Sequence, residues 1–254
     1  MTHIEKAKHF FSLHQAGDPL VLYNVWDAGT AAAAARAGAK AIATGSHSVA
    51  EAHGYADGQH IPLSLLLMIA ERIVCSTMLP VSIDFEGGFA KDDETLASNI
   101  ERLLATGAIG VNFEDQVIGS TDLYAPETQA SRIATLRGVA DQQSGSLFIN
   151  ARTDVFLKTP VDRHHEVFED AILRATHYTA AGASGFFAPG LIDISLIERL
   201  CSAVELPVNI MMKAGVPTIA RLAAAGVSRV SYGPGPYIEA ISTFEQRAKK
   251  AMYS

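Results

Sequence analysis

Eight short apolar runs alternate with stretches of helical periodicity along the whole chain, and this alternation limits the possible folds more than any other feature. The runs cover 20–25, 40–44, 80–84, 109–113, 147–151, 184–188, 207–211 and 228–232. Helices are predicted between them at 28–37, 62–77, 93–106, 127–142, 163–181, 192–204 and 217–225. A last helix at 236–252 closes the series and an extra one at 3–15 precedes it. Strands that are apolar nearly throughout, rather than at alternate positions, belong to a parallel sheet covered on both faces. An open doubly wound sheet and a closed barrel both satisfy that requirement.

A weak internal repeat favours the barrel. Ala37-Gly38-Ala39, Thr106-Gly107-Ala108, Ala181-Gly182-Ala183 and Ala225-Gly226-Val227 each end a helix and lead into an even-numbered strand. Glycine there supplies the left-handed conformation that stops a helix. Pro19, Pro80 and Pro207 open three of the odd strands instead. A doubled strand–helix unit repeated four times suits a barrel whose interior layers draw on alternate strands. Ala-Gly-Ala is also a common way to end any helix, so the placement of the polar residues carries more of the argument.

Polar residues gather just past the carboxyl ends of the runs: Asp27, then Gly45-Ser46-His47, Asp84-Phe85-Glu86-Gly87-Gly88, Glu114-Asp115, Arg152-Thr153-Asp154 and Lys213. An open sheet would concentrate such residues at one switch point, whereas a barrel rings them around one mouth. The expectation is therefore a single (β/α)8 TIM barrel over residues 1–254, with an extra N-terminal helix.

The charges at that mouth suggest chemistry. Asp84, Glu86 and Glu114 end adjacent strands, roughly 5 Å apart by sheet spacing. Carboxylates so placed repel, and either hold protons or share a cation. An all-oxygen set without a nearby cysteine suits Mg²⁺, with Mn²⁺ possible, rather than zinc. Asp84 and Glu86, two residues apart at one strand end, are the candidate metal ligands. Asp93 and Asp115 are read instead as helix caps. Arg152 presents a guanidinium fork suited to a substrate carboxylate, with an ion pair to Asp154 or Glu114 as the structural alternative.

The remaining composition narrows the class. A net charge of −7 with no Lys/Arg run excludes a phosphate-binding footprint, so no nucleic-acid partner is expected. The amino terminus is charged where a secretory signal would be apolar, and the longest apolar stretch, 65–70, is too short to span a bilayer. With only Cys75 and Cys201 present, the expected setting is cytoplasmic, with no membrane partner. His164-His165 read as surface residues opening a helix, His53 as a structural residue at a helix start, and Gly233-Pro234-Gly235-Pro236 as a turn. Trp26 suits either the pocket wall or rim packing.

Taken in order, Thr44-Gly45-Ser46-His47-Ser48-Val49-Ala50 with Gly54-Tyr55-Ala56-Asp57-Gly58, then Asp84-Phe85-Glu86-Gly87-Gly88-Phe89, Gly110-Val111-Asn112-Phe113-Glu114-Asp115 and Asn150-Ala151-Arg152-Thr153-Asp154, resemble the strand-end motifs of the isocitrate lyase/phosphoenolpyruvate mutase superfamily. The resemblance implies a Mg²⁺-dependent barrel that binds a small 2-oxo or 2-hydroxy carboxylate and passes through an enolate. It implies that Asp84 and Glu86 hold the metal, with Glu114 and Asp57 supporting it largely through waters. Gly45, Ser46 and His47 would offer N–H and hydroxyl groups to the substrate carboxylate, and Arg152 would contact the substrate and the developing enolate. It also implies a homodimer or homotetramer in which subunits exchange the last helix.

Departures from the family pattern bear on the reaction. The stretch 116–124 after the fourth strand lacks the lyases' Lys-Lys/Arg-Cys-Gly-His, and the mutase's Lys and Asn are not evident. Ala188-Pro189-Gly190 stands where relatives carry His or Glu, and Gly233-Pro234-Gly235 where some carry Asn-His. These losses disfavour isocitrate lyase and phosphoenolpyruvate mutase proper. Carbon–carbon cleavage by a lyase or an oxaloacetate-type decarboxylase is the leading expectation. C–P chemistry such as phosphonopyruvate hydrolysis and a metabolite-binding barrel without turnover are the alternatives. A Schiff-base aldolase using Lys158 or Lys213 would leave the acidic cluster without a role. A hydroxy-acid lyase also needs a base, for which Asp122, Tyr124 and Tyr232 are the candidates.

Overall fold

The computed structural model describes residues 2–143 and 147–253. Eight parallel strands form one sheet: β1 (Leu20–Leu22), β2 (Ile42–Ala43), β3 (Val81–Asp84), β4 (Gly110–Glu114), β5 (Phe148–Arg152), β6 (Gly185–Phe187), β7 (Val208–Met211) and β8 (Arg229–Ser231). From β2 to β8 each pairs with its sequence neighbour and β8 returns to β1, giving the order β1-β8-β7-β6-β5-β4-β3-β2. Past the regular pairing, Val25 bridges Thr44, and the Val25 N–H donates to the Ala43 carbonyl at 2.9 Å, drawing β1 towards β2. The result is a nearly closed α/β TIM barrel.

The helices follow the predicted order. They are α1 (His3–Ser12), α2 (Ala28–Arg36), α3 (Ser46–Ala52), α4 (Leu63–Cys75), α5 (Asp93–Leu104), α6 (Pro126–Gln142), α7 (Val155–Lys158), α8 (Phe168–Ala180), α9 (Ile194–Ala203), α10 (Ile219–Ala224) and α11 (Gly235–Tyr253). Gly38, Gly107, Gly182 and Gly226 have φ between 87° and 92°, so the repeated helix stop works as expected. Asp27 caps α2, accepting the Thr30 N–H at 2.7 Å. Helix α1 packs against the amino-terminal ends of the strands. Phe10 is fully buried there, edge-on to Phe148 with ring centroids 5.3 Å apart, and His14 stacks on the same ring at 4.1 Å. Burying a phenylalanine this completely contributes on the order of 2–3 kcal/mol, enough to hold a single helix against the barrel floor.

Several local expectations need correction. Helix α8 begins at Phe168, five residues late, because a 3-10 turn at Val161–Arg163 turns the chain inward first. His164 is buried rather than on the surface, its Nε2 lying 2.9 Å from the Phe156 carbonyl; His165 is exposed. His53 ends α3 instead of starting a helix, with Nδ1 2.8 Å from the Val49 carbonyl. Asp92, not Asp93, caps α5. Trp26 packs at the rim against Tyr237, centroids 5.2 Å apart.

The barrel interior is not wholly apolar. Asn112, Asn150, Asn209 and Arg229 are buried inside it, and the Asn112 side-chain Oδ1 accepts from Asn150 Nδ2 at 2.8 Å and from Arg229 Nη2 at 3.1 Å. Burial pushes the Arg229 guanidinium down to about 9, so it stays charged at neutral pH beneath the acidic mouth.

Helix α11 buries only Pro236 and Tyr237. Its Ile238, Ile241 and Phe244 are exposed, the last by 73%. No helix among the described residues is long and apolar enough to cross a membrane.

Candidate active site

The carboxyl ends of β2–β5 bring the expected acids together. Asp84 closes β3, and its N–H donates to Thr44 Oγ1 at 2.8 Å. Its Oδ2 accepts the Ser46 N–H at 2.9 Å, while Oδ1 is buried with no partner. Glu86 follows on a tight turn at φ 48°, and its Oε2 accepts the Gln59 N–H at 2.7 Å. Glu114 closes β4 directly opposite Arg152 on β5, with Oε2 2.9 Å from Arg152 Nη1. Both structural alternatives for Arg152 are realised, since its Nε and Nη2 also grip the Asp154 carboxylate, the latter at 2.9 Å. Asp57, on the segment between α3 and α4, is half-exposed, 3.9 Å from His47 Nδ1.

Asp115 is neither a cap nor a site acid. Its Oδ1 accepts the Asp154 N–H at 3.0 Å, and its Oδ2 accepts from Arg174 Nη1 and the Tyr178 hydroxyl, both at 2.9 Å. Fully buried, it fastens the end of β4 to β5 and α8 and so fixes where Glu114 and Arg152 stand.

The electrostatics are those of crowded, buried carboxylates. Burial, then the charges of Glu114, Asp84 and Asp57, push Glu86 up to about 9. Burial likewise raises Asp84 and Glu114, against the pull of Arg152. Asp84, Glu86 and Glu114 thus crowd one guanidinium at the mouth, and burial and mutual repulsion favour their protonated forms. No group of three or more His, Cys, Asp or Glu among the described residues forms a ready-made metal cage. A hard cation can be held by as few as one or two carboxylates, with waters and substrate oxygens completing its shell. The unpartnered Asp84 Oδ1 is the oxygen such an ion would meet first, so the residues present fit Mg²⁺ or Mn²⁺.

A cavity of about 180 Å³ opens over these groups, a size for a small metabolite. Gly45, Ser46, His47, Asp57, Asp84 and Arg152 border one half of it. The half built after β5–β8 presents Leu157, Phe187, Pro189, Met211 and Pro234. Glu86 and Glu114 stand behind the cavity surface rather than on it, and Asp122, Tyr124, Tyr232, Lys158 and Lys213 do not border it. The candidate bases and Schiff-base lysines are therefore not placed for chemistry there.

Several residues that shape the site had not been singled out in the sequence. Arg132, buried on α6, donates through Nη2 to the Gly87 carbonyl at 2.6 Å and the Ala90 carbonyl at 3.0 Å. Asn99 on α5 donates to the Gly88 carbonyl at 3.0 Å. Asn112 borders the cavity floor. Arg132 sits on a buried helical stripe with Gln129, Ile133, Leu136, Val139 and Ala140, and a charge on such a stripe is the signal that points to it.

Residues 10–252 match the phosphoenolpyruvate phosphomutase family, and the chain belongs to it, within the isocitrate lyase/phosphoenolpyruvate mutase superfamily of enzymes. It is 45% identical to a solved phosphonomutase-like protein of Burkholderia cenocepacia J2315, covering 98% of this chain and 100% of that one, with a TM-score of 0.96. An uncharacterized protein of Mycobacterium tuberculosis is 32% identical over 90% of this chain and 83% of its own length. The oxaloacetate decarboxylase of Ectopseudomonas mendocina is 28% identical over 79% of this chain and 68% of its length. A phosphonopyruvate hydrolase solved with oxalate and Mg²⁺ shares the fold at a TM-score of 0.83 and 18% identity, covering 95% of this chain and 84% of that one.

Proposed function

We propose that this protein is a Mg²⁺-dependent carbon–carbon-cleaving enzyme for a small 2-oxo acid, with decarboxylation of an oxaloacetate-type substrate as its reaction. The observation that carries this reading is the two-sided cavity: acids and Arg152 on the β2–β5 half, side chains without charge on the other. Asp84 and Glu86 would hold the cation, with Glu114 and Asp57 behind them. When bound, it would supply Lewis-acid stabilisation of the negative charge that develops on the substrate C2 oxygen. Arg152 faces the same oxygen with a guanidinium kept charged by Glu114 and Asp154. Gly45, Ser46 and His47 border the end where the C1 carboxylate would lie. The C4 carboxylate would then meet the half whose side chains carry no charge, which would favour its departure as neutral CO2. As the C3–C4 bond breaks, CO2 leaves, the electron pair passes into the enolate, and a proton from water completes C3. This sequence needs no side-chain acid, in keeping with a mouth that lacks a cysteine.

Phosphonopyruvate hydrolysis is less well supported, because no cation faces the half where a phosphonate would sit. The direct test is oxaloacetate turnover with Mg²⁺ and after EDTA. Activity that disappears with EDTA and returns with Mg²⁺ or Mn²⁺ is expected, with metal affinity rising from pH 6 to about 9. The sign follows from Glu86: the cation must displace its proton, which becomes easier as pH approaches the raised value. Failure of oxaloacetate, other 2-oxo diacids, hydroxy diacids and phosphonopyruvate alike would favour a binding barrel without turnover.

The same reading has the chain working as a homodimer or homotetramer that exchanges α11. The exposed Ile238, Ile241 and Phe244 support it, as do Val21 on β1 and Tyr23 just past it, both exposed. A sedimentation mass equal to one 27.0 kDa chain would refute the assembly.

A further inference from the structure

Three non-glycine residues among the described residues have left-handed backbones, and all three meet at one point: Gln59 at φ 64°, Glu86 at φ 48° and Phe89 at φ 56°. Such conformations are strained and persist only where the surroundings hold them. What holds them is Gln59. Its N–H donates to Glu86 Oε2 at 2.7 Å, and its side-chain Oε1 accepts the Phe89 N–H at 2.6 Å. A single residue thereby clasps both ends of the acidic turn, from a segment that also carries Asp57 two positions earlier. The outer side of the turn is fixed separately by Arg132 and Asn99, which bind its carbonyls. A Cβ on Gly87 would come within 3.1 Å of Gln59 Nε2, so a side chain there would crowd the amide.

We infer that Gln59 is a positioning residue for the cation site: it occupies one Glu86 oxygen, turns the other towards the site, and locks the Asp57 segment to the acidic turn so that both carboxylates arrive together. This rests on the metal reading of Asp84 and Glu86 given above. Glu86 alone would be free to swing, because the described structure gives its carboxylate no other hydrogen-bond donor.

The test is Mn²⁺ binding to the full-length protein, followed by electron paramagnetic resonance and by thermal melting without metal. Gln59→Gly keeps the N–H and suits the left-handed backbone, and removes only the amide. Gln59→Asn, whose shorter amide cannot span to Phe89, serves if the glycine variant folds poorly. Either variant is expected to melt close to the wild type yet bind Mn²⁺ about 10-fold more weakly, the scale of one lost hydrogen bond in a buried polar network. In a Glu86→Gln background the same substitution should cause a clearly smaller further loss, because Gln59 acts in part through Glu86. Unchanged Mn²⁺ affinity in Gln59→Gly, or an equal loss in both backgrounds, overturns the clasp while leaving the metal reading standing. Absence of Mn²⁺ binding to the wild type would instead overturn the metal reading, and the clasp with it.

Discussion

Replacing Asp84 by asparagine is expected to lower kcat/KM for the decarboxylated substrate by about 10³-fold or more, with the fold intact. The argument for an intact fold is local. Asparagine keeps an acceptor for the Ser46 N–H, and the Asp84 backbone N–H still donates to Thr44. Asp84 is also a carboxylate whose charge burial opposes, so removing that charge does not weaken the barrel on its own account. What is lost is the one buried, unpartnered carboxylate oxygen at the mouth, and with it much of the attraction for a divalent ion. Lewis-acid stabilisation of the developing enolate is worth several kcal/mol, and about 4 kcal/mol corresponds to the 10³-fold figure. Steady-state kinetics over a Mg²⁺ series, with a melting curve as control, reads both parts. A variant retaining more than a tenth of wild-type kcat/KM would mean that the chemistry lies elsewhere.

Replacing Arg152 by lysine is expected to cost about 10²–10³-fold in kcat, the range seen when one preorganised donor is removed from a developing anion. Lysine preserves the charge, so a purely Coulombic role would be spared. The guanidinium does more than carry charge: it reaches Glu114 with Nη1 and holds both oxygens of Asp154 with Nε and Nη2. An ammonium cannot fill three directions in one plane. Either Glu114 or Asp154 would lose its partner, and the donor facing the cavity would shift. Oxalate, which carries the two adjacent oxygens of a bound 2-oxo acid, should bind the lysine variant more weakly in the same proportion as kcat falls. Equal oxalate affinity and near-normal kcat would show that Arg152 only ties β5 to its neighbours.

Much of this was legible before any coordinates were considered. The eight runs announce eight strands because a parallel sheet buried on both faces leaves strands apolar throughout, and the four glycine stops mark where helices yield to strands. The acids of the mouth were legible for a related reason: a charged residue directly after an apolar run has nowhere to go but the rim. The unread elements are those created by contacts distant in sequence. Helix α3 gives little helical signal because its first turn, Gly45-Ser46-His47, lacks an apolar period, and α7 is a single turn of four residues. Asp115 looked like a cap because it precedes a helical stretch, yet its partners are Arg174 and Tyr178, about sixty positions away. His164 looked exposed for want of any sign that the chain turns inward at 161–163. Gln59 carries no signal at all beyond the preceding glycine, since its importance comes from two bonds spanning 27 and 30 residues.

The measurement that bears most directly on the account is anomalous diffraction from crystals of the protein soaked with Mn²⁺ and oxalate. The account predicts a single strong Mn²⁺ peak beside Asp84 Oδ1, within reach of Glu86 through direct or water-mediated contact, with oxalate between the metal and Arg152. A peak remote from the ends of β3 and β4, or oxalate bound without metal against a different wall, would contradict it.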